Sequence, residues 1–384
     1  MPVGDLRART SVVGVGEDGV GLALPGSTPL DLMAGATRAA LDDAGLQMSD
    51  IDGLFTASAY YQLPALNVGE YLGIRPRHSD STAVGGSSFV SHVGHAAAAI
   101  ATGLCDVALV VYGSTQRSDA GRLISQSEGS PHENPYGPRY PVTMYALAAA
   151  RHMYQYGTTR EQLAAVAVAA REWARLNPAA SARDPLTVDD VLSSRMVSSP
   201  LTVRDCCLVT DGAGALLLTS SERAADLRRP AVYLLGHGEA HWHRSITSMP
   251  DLTVTAAVES AGRAYGRAGL SPSDVDLVEL YDAFTINTVL FLEDLGFCAK
   301  GEGGQLAASG AIGPGGTLPV NTNGGGLSYC HPGMYGIFAL VEAVRQLRGE
   351  AGDRQVPGDV ALVHGNGGVL SSQVTAILGT ASTR

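Results

Sequence analysis

The chain has 384 residues, a formal net charge of −11, 45% hydrophobic and 16% charged residues, and 47 glycines. This describes a globular, turn-rich protein long enough for two cores or one large fused one, and it excludes a disordered chain. Without a dense basic run a nucleic-acid footprint is not expected, and no stretch approaches the ~20 apolar residues of a membrane span.

In chain order, Met1 to Arg7 has no apolar signal-peptide core behind it. Gly14-Val-Gly-Glu-Asp-Gly suggests a nucleotide loop, but a lone loop of this kind is a weak signal. Small and apolar residues at helical spacing predict a helix over 30–43, then an Ala44-Gly-Leu turn and a short strand from Gly53. Next come a glycine-rich turn, Val84-Gly-Gly-Ser-Ser, a small-residue helix ending at Ile100, and a buried strand from Val107 to Gly113. Residues 114–200 exceed what a connection needs; they mix turn signals with a helical segment around 160–176 and read as an insertion that shapes a substrate pocket. A strand-like run over 213–219 leads to Ser220–Pro230, where a first half, 1–225, meets a second, 226–384.

The second half repeats the plan of the first. AGLSPSDVD at 268–276 matches AGLQMSDID at 44–52, each after a helical run and each before a short strand. Asn323-Gly-Gly-Gly-Leu then opens a helix near 333–347, and a buried strand runs from Val360 to His364-Gly. Alternating strands and helices, used twice, predict an α/β fold built from two duplicated halves.

Ligands of such folds bind where glycine turns expose backbone N–H groups beside helix N-termini. Three segments qualify: Tyr281-Asp-Ala-Phe-Thr, Tyr329-Cys-His-Pro-Gly and His364-Gly-Asn-Gly-Gly. Tyr281, at a strand end, is the first candidate for proton transfer; His331 and His364 are acid/base candidates that titrate near neutral pH. Asp282 either orients a neighbour or caps a helix, and Cys330 is either a nucleophile or a small buried hydrophobe. Gly86, Ser87, Asn323, Gly325 and Gly367 are the expected substrate-holding positions in the glycine turns. Lys300 is the only lysine and thus the only candidate for Schiff-base chemistry. His92 with His95, and His241 with His243, bring too few further ligands for zinc, and no metal or cofactor bound by this chain is expected. The five cysteines, Cys105, Cys206, Cys207, Cys298 and Cys330, show neither ligand pairing nor a disulfide framework, which suits free thiols in a reducing cytoplasm. Cys206 and Cys207 are expected to pack near the Asp211-Gly-Ala-Gly turn.

These motifs resemble those of the thiolase superfamily. Tyr281-Asp-Ala-Phe-Thr is similar to the thiolase Asn-Glu-Ala-Phe element, or His-Asp-Cys-Phe in the sterol-carrier type; Cys330-His-Pro-Gly is similar to Gly-His-Pro, and His364-Gly-Asn-Gly-Gly to Cys-x-Gly-Gly-Gly. The resemblance implies a layered α-β-α-β-α sandwich and a homodimer. Aligned on the helix ending at Ile100, Gly86 stands where thiolases carry the acyl-accepting cysteine, and a glycine cannot form an acyl-enzyme. Glycine there, the Tyr-Asp-x-Phe-Thr element and the segment Leu292–Gly304 resemble the lipid-transfer-protein aldolases of steroid side-chain catabolism. That branch implies retro-aldol cleavage of a bulky β-hydroxyacyl-CoA, with the thioester as substrate, and a small zinc-ribbon/OB-fold acyl-CoA-binding partner subunit. The His-Pro-Gly after Cys330 departs from those aldolases. Two alternatives accompany it: acyl transfer of the thiolase or acetyl-CoA acetyltransferase type through Cys330 or another nucleophile, and an inactive lipid-binding scaffold.

Overall fold

The structure, a computed structural model, describes residues 6–119 and 131–384. Part of the expected insertion, 120–130, and the N-terminal residues 1–5 lie outside the described residues. The elements of the first half are β1 (Thr10–Gly21), α1 (Pro29–Ala44), β2 (Gly53–Thr56), α2 (Pro64–Leu72), β3 (His78–Asp80), α3 (Ser88–Ala101) and β4 (Val107–Ser114). They continue with α4 (Val142–Tyr156), α5 (Arg160–Arg175), α6 (Val188–Leu192), β5 (Met196–Ser198), β6 (Leu201–Thr202), β7 (Asp211–Ser220) and α7 (Ser221–Ala224). The second half adds β8 (Val232–His241), α8 (Ala257–Ala268), β9 (Leu277–Leu280), α9 (Thr285–Asp294), α10 (Gly303–Ala308), α11 (Gly336–Leu347), β10 (Val360–Gly367) and β11 (Ser372–Gly379).

Among the described residues one large sheet has the order β3-β2-β4-β7-β1-β8-β11-β10-β9. The β1–β7 ladder runs from Thr10 to Gly21, whereas β1 meets β8 only at Ser11 and Val12, so two sub-sheets join at a narrow seam. Read inward from either edge, the strand order repeats, and a single parallel bridge from Val278 to Val320 occupies the place that β3 takes beside β2. α1 covers one outer face against β1, β4 and β7, and α8 covers the other against β8 and β11. α3 and α11 lie between the sub-sheets and touch strands of both, which completes the α-β-α-β-α sandwich.

The physical basis of the repeat is visible in its details. α1 and α8 end at Gly45 and Gly269, whose φ values of 72° and 65° are the left-handed caps that glycine adopts without a Cβ penalty. Asp52 then accepts the backbone N–H groups of Asp106 and Val107 at the start of β4, and Asp276 those of Asp359 and Val360 at the start of β10. The apparent nucleotide loop at Gly14 lies inside β1: a Cβ on Gly14 would stand 2.3 Å from Ala40 O, so the glycine lets α1 lie directly on the strand. Gly236 on β8 does the same for α8, with Ala264 O at 2.2 Å.

Two further differences from the sequence reading matter. Residues 142–156, passed over amid turn signals, form α4, whose start at Pro141 lacks a side-chain cap that would announce it. The second central helix begins at Gly336 instead of 333, because Pro332 and Gly333, with φ 93°, hold the preceding residues in an irregular turn. No helix among the described residues is long and apolar enough to cross a membrane.

Candidate active site

A cavity of about 810 Å³ opens where β9, β10 and the N-terminus of α3 converge. Tyr281, His331, Gly86, Gly367, Tyr145 and Asn366 line its inner part, and Trp242 and the exposed Arg244 its outer part.

β9 delivers Tyr281: its backbone N–H continues the parallel ladder to His364 O at 2.9 Å. Its phenolic oxygen stands 2.9 Å from His331 Nε2 and 3.1 Å from Gly333 O, and the two rings meet edge-on at 88°. The His331 backbone is pinned by Thr210 Oγ1 at 2.9 Å, and its Nδ1 is buried with no partner among the described residues. Burial raises the Tyr281 phenol well above its ordinary value and lowers His331 to about 4. At neutral pH the pair is therefore a protonated phenol against a neutral imidazole, which is the arrangement of a proton relay.

Gly86 begins the turn into α3. A Cβ there would lie 2.0 Å from Tyr281 Cε2 and 2.8 Å from Asn366 O. The phenol thus fills the space that a side chain at position 86 would need. Gly367, the other cavity-lining glycine expected from sequence, would place a Cβ 1.7 Å from Val84 O, so it lets β10 meet the same turn.

The other expected residues do not reach the cavity. Asp282 is turned inward, accepting N–H from Gly326 at 2.6 Å and Leu327 at 3.3 Å, and burial pushes its carboxyl up to about 7 against those bonds. Asn323 Oδ1 accepts from Gly325 N and Tyr335 O–H, both at 2.8 Å, which braces the turn, and neither Asn323 nor Gly325 lines the cavity. Ser87 is buried, its Oγ donating to Val84 O at 3.0 Å beside Ser372 Oγ at 2.7 Å. Cys330 is fully buried outside the cavity lining, and burial raises its thiol well above the usual range.

His364 also corrects the sequence reading. It shares a strand face with Asn366 but lies one pleat deeper, wedged edge-on against Phe291 at 4.6 Å. Its Nδ1 meets Thr375 Oγ1 at 2.9 Å and its Nε2 meets Gln373 Oε1 at 2.8 Å; burial lowers it to about 4. Lys300 is likewise committed elsewhere, donating to Thr253 O at 2.7 Å and Asp294 Oδ1 at 2.5 Å, and it does not line the cavity.

Residues that sequence reasoning missed are Tyr145, Asn366, Cys207 and Trp242. Tyr145 sits on the unpredicted α4, and Asn366 lay unremarked inside the His364-Gly-Asn-Gly-Gly motif. Cys207 reaches the cavity because its backbone N–H binds Ala283 O at 2.8 Å, and burial raises its thiol as well. On α3, His95 is held between Asp80 at 2.6 Å and Glu239 at 3.2 Å and pushed up to about 9; among the described residues no cluster of three or more His, Cys, Asp or Glu is suited to a metal.

Comparison with known proteins adds to this geometry. Residues 238–380 match the family described as "Thiolase C-terminal domain-like". Over 96% of this chain and 98% of the relative, the sequence is 35% identical to a 17-hydroxy-3-oxo-4-pregnene-20-carboxyl-CoA lyase of Mycobacterium tuberculosis. It is 36% identical, over 88% of this chain and 91% of the relative, to an acetyl-CoA acetyltransferase of Methanothermobacter thermautotrophicus. Among solved structures, the Ltp2-ChsH2(DUF35) aldolase superposes with a TM-score of 0.89 at 32% identity, covering 98% of this chain and 99% of that one.

Proposed function

Because this chain belongs to the thiolase family, we propose that it cleaves a carbon–carbon bond of a CoA thioester by a retro-aldol reaction on a bulky β-hydroxyacyl-CoA, with no covalent acyl-enzyme. The observation that carries this is the placement of the Tyr281 phenol in the space beside Gly86, 2.9 Å from His331 Nε2. Acid/base groups occupy the position at which the family's acyl transfer needs a nucleophile.

The β-hydroxyl proton passes to the Tyr281 oxygen as the phenolic proton moves to His331 Nε2. The Cα–Cβ bond breaks, leaving a ketone or aldehyde, and its electron pair becomes the thioester enolate. The imidazolium formed alongside offsets the enolate charge. Protonation at Cα releases the shortened thioester. The cleavage is redox-neutral, so it needs no redox cofactor.

The aldolase neighbour and the lyase relative support this chemistry. The two-part name of that neighbour supports a partner subunit; that this partner is a small acyl-CoA-binding protein of zinc-ribbon/OB-fold build, and that the chain forms a homodimer, are part of our proposal. The repeated strand order supports two halves dividing near residue 225. The free cysteines suit a reducing cytoplasm.

The acetyltransferase relative makes acyl transfer the reading to exclude. Incubating the protein, with any co-purifying partner, with a ring-bearing β-hydroxyacyl-CoA is expected to release a ketone or aldehyde with no added CoA. Turnover only with free CoA, yielding two thioesters, would overturn the proposal. Full activity in both Tyr281→Phe and His331→Ala would move the chemistry off this chain.

A further inference from the structure

Retro-aldol cleavage needs a proton at Cα after the bond breaks, and the Tyr281–His331 pair is then holding the proton taken from the β-hydroxyl. A second group facing the enolate from elsewhere in the cavity would deliver that proton without waiting for the pair to discharge. A hydrogen-bonded chain runs from the interior to the cavity wall: Ser260 Oγ to Thr375 Oγ1 at 2.9 Å, Thr375 Oγ1 to His364 Nδ1 at 2.9 Å, and His364 Nε2 to Gln373 Oε1 at 2.8 Å. It continues from Gln373 Nε2 to Asn366 Oδ1 at 2.9 Å and from Asn366 Nδ2 to the Tyr145 oxygen at 2.9 Å, while Tyr145 donates to Gly368 O at 3.1 Å.

The direction of this chain follows from its members. Asn366 spends its Nδ2 on Tyr145, so its Oδ1 must accept from Gln373; Gln373 then presents Oε1, which requires a proton on His364 Nε2. Every link from Ser260 to Tyr145 is buried, and Phe284 stacks on the Tyr145 ring at 4.4 Å. Asn366 also ties the two phenols together, because its carbonyl lies beside Gly86 and the Tyr281 ring while its amide holds Tyr145.

Other polar groups of the cavity are worse placed. Tyr112 gives its proton to Pro332 O at 2.5 Å, and His243 directs Nε2 to Val369 O at 3.1 Å, leaving Nδ1 bare. Tyr145 differs in that an amide N–H already points at its oxygen, ready to hold the charge left when the proton departs.

We propose that Tyr145 is the second catalytic acid of the cavity, protonating the enolate carbon, and that His364, Gln373 and Asn366 are positioning residues that hold it. This rests on the retro-aldol reading above. The Tyr145 O–H bond breaks as the Cα–H bond forms, the enolate pair becomes that bond, and the phenolate stays on Asn366 Nδ2 until the proton lodged on His331 returns through water.

The test is solvent exchange. In deuterium oxide the wild-type protein should wash deuterium into the α-carbon of butanoyl-CoA, read by NMR, a reaction that needs the Cα group and no β-hydroxyl. Tyr145→Phe should lose exchange by about 10²-fold or more, and Tyr281→Phe should keep it while losing cleavage. His364→Leu should lower exchange about 10-fold, with His364→Gln, which restores a donor to Gln373, recovering most of it. Exchange absent from wild type, or equal in wild type and Tyr145→Phe, overturns the proposal while leaving cleavage itself untouched. A wild-type protein that fails the cleavage assay removes the reading beneath it.

Discussion

The two halves each place a glycine turn before a central helix, and the two turns have opposite fates. At Val84–Gly86 the turn lines the cavity, with the edge of the Tyr281 ring and the Asn366 carbonyl against Gly86. At Asn323–Gly326 the turn closes on the carboxylate of Asp282, which accepts the Gly326 N–H at 2.6 Å. Two glycine turns thus stand at matching places in the two halves; one is filled from within the chain, and the other borders the cavity. The general lesson is that a glycine turn marks a place for an acceptor without saying whether the acceptor is a ligand or the protein itself.

Substitutions at the two turns and at their occupants can break this contrast. The largest effect belongs to the open side: Tyr281→Phe is expected to lower kcat of cleavage about 10³-fold with thermal stability nearly unchanged, as steady-state kinetics and melting curves would show. Gly86→Ala pushes a methyl into the Tyr281 ring and should cost kcat about 10²-fold by displacing the phenol; a variant as active as wild type would mean the ring is not confined there. Gly325→Ala, by contrast, forces a side chain onto a φ of 63° and a Cβ to 2.1 Å from Asp282 Oδ2, so denaturant titration should show about 2–3 kcal/mol lost.

Asp282 itself carries a pH signature. Its folded value, about 7, is above the ordinary carboxylate value, so the folded state binds the extra proton; stability from this group is complete below pH about 4 and is lost as pH rises through 7. Asp282→Asn should abolish that component, and urea midpoints at pH 5 and pH 8 should differ less in the variant than in wild type. The smallest effect is expected at Cys330→Ala, about 1 kcal/mol of stability with kcat within twofold, because the sealed thiol only fills space. Abolished activity there would reinstate a nucleophile.

Much of the fold was legible in the sequence because it depends on local chemistry written twice: helical spacing, an Ala-Gly-Leu cap and an aspartate two residues past the next turn. β1 was not legible, since Gly14 and Gly16 read as loop residues until α1 is seen resting on them. α4 was hidden by the turn-forming residues before it and the absence of a polar cap. Within the site, motif resemblance brought out Tyr281, His331 and Gly86, all of which line one cavity. It did not show that His364 lies one pleat away from the cavity lining, because a strand motif does not reveal which pleat faces the cavity, and it did not single out Tyr145, which lies far away in sequence.

By itself, then, the sequence determined the α/β pattern used twice, the family resemblance and a glycine at position 86, since each is carried by residue identity and short-range spacing. Only the tertiary structure decided which polar groups face the cavity. Exposure to ligand depends on long-range packing: Phe291 covering His364, Asp282 closing the second turn, and the Tyr281 ring occupying the space that Gly86 leaves open.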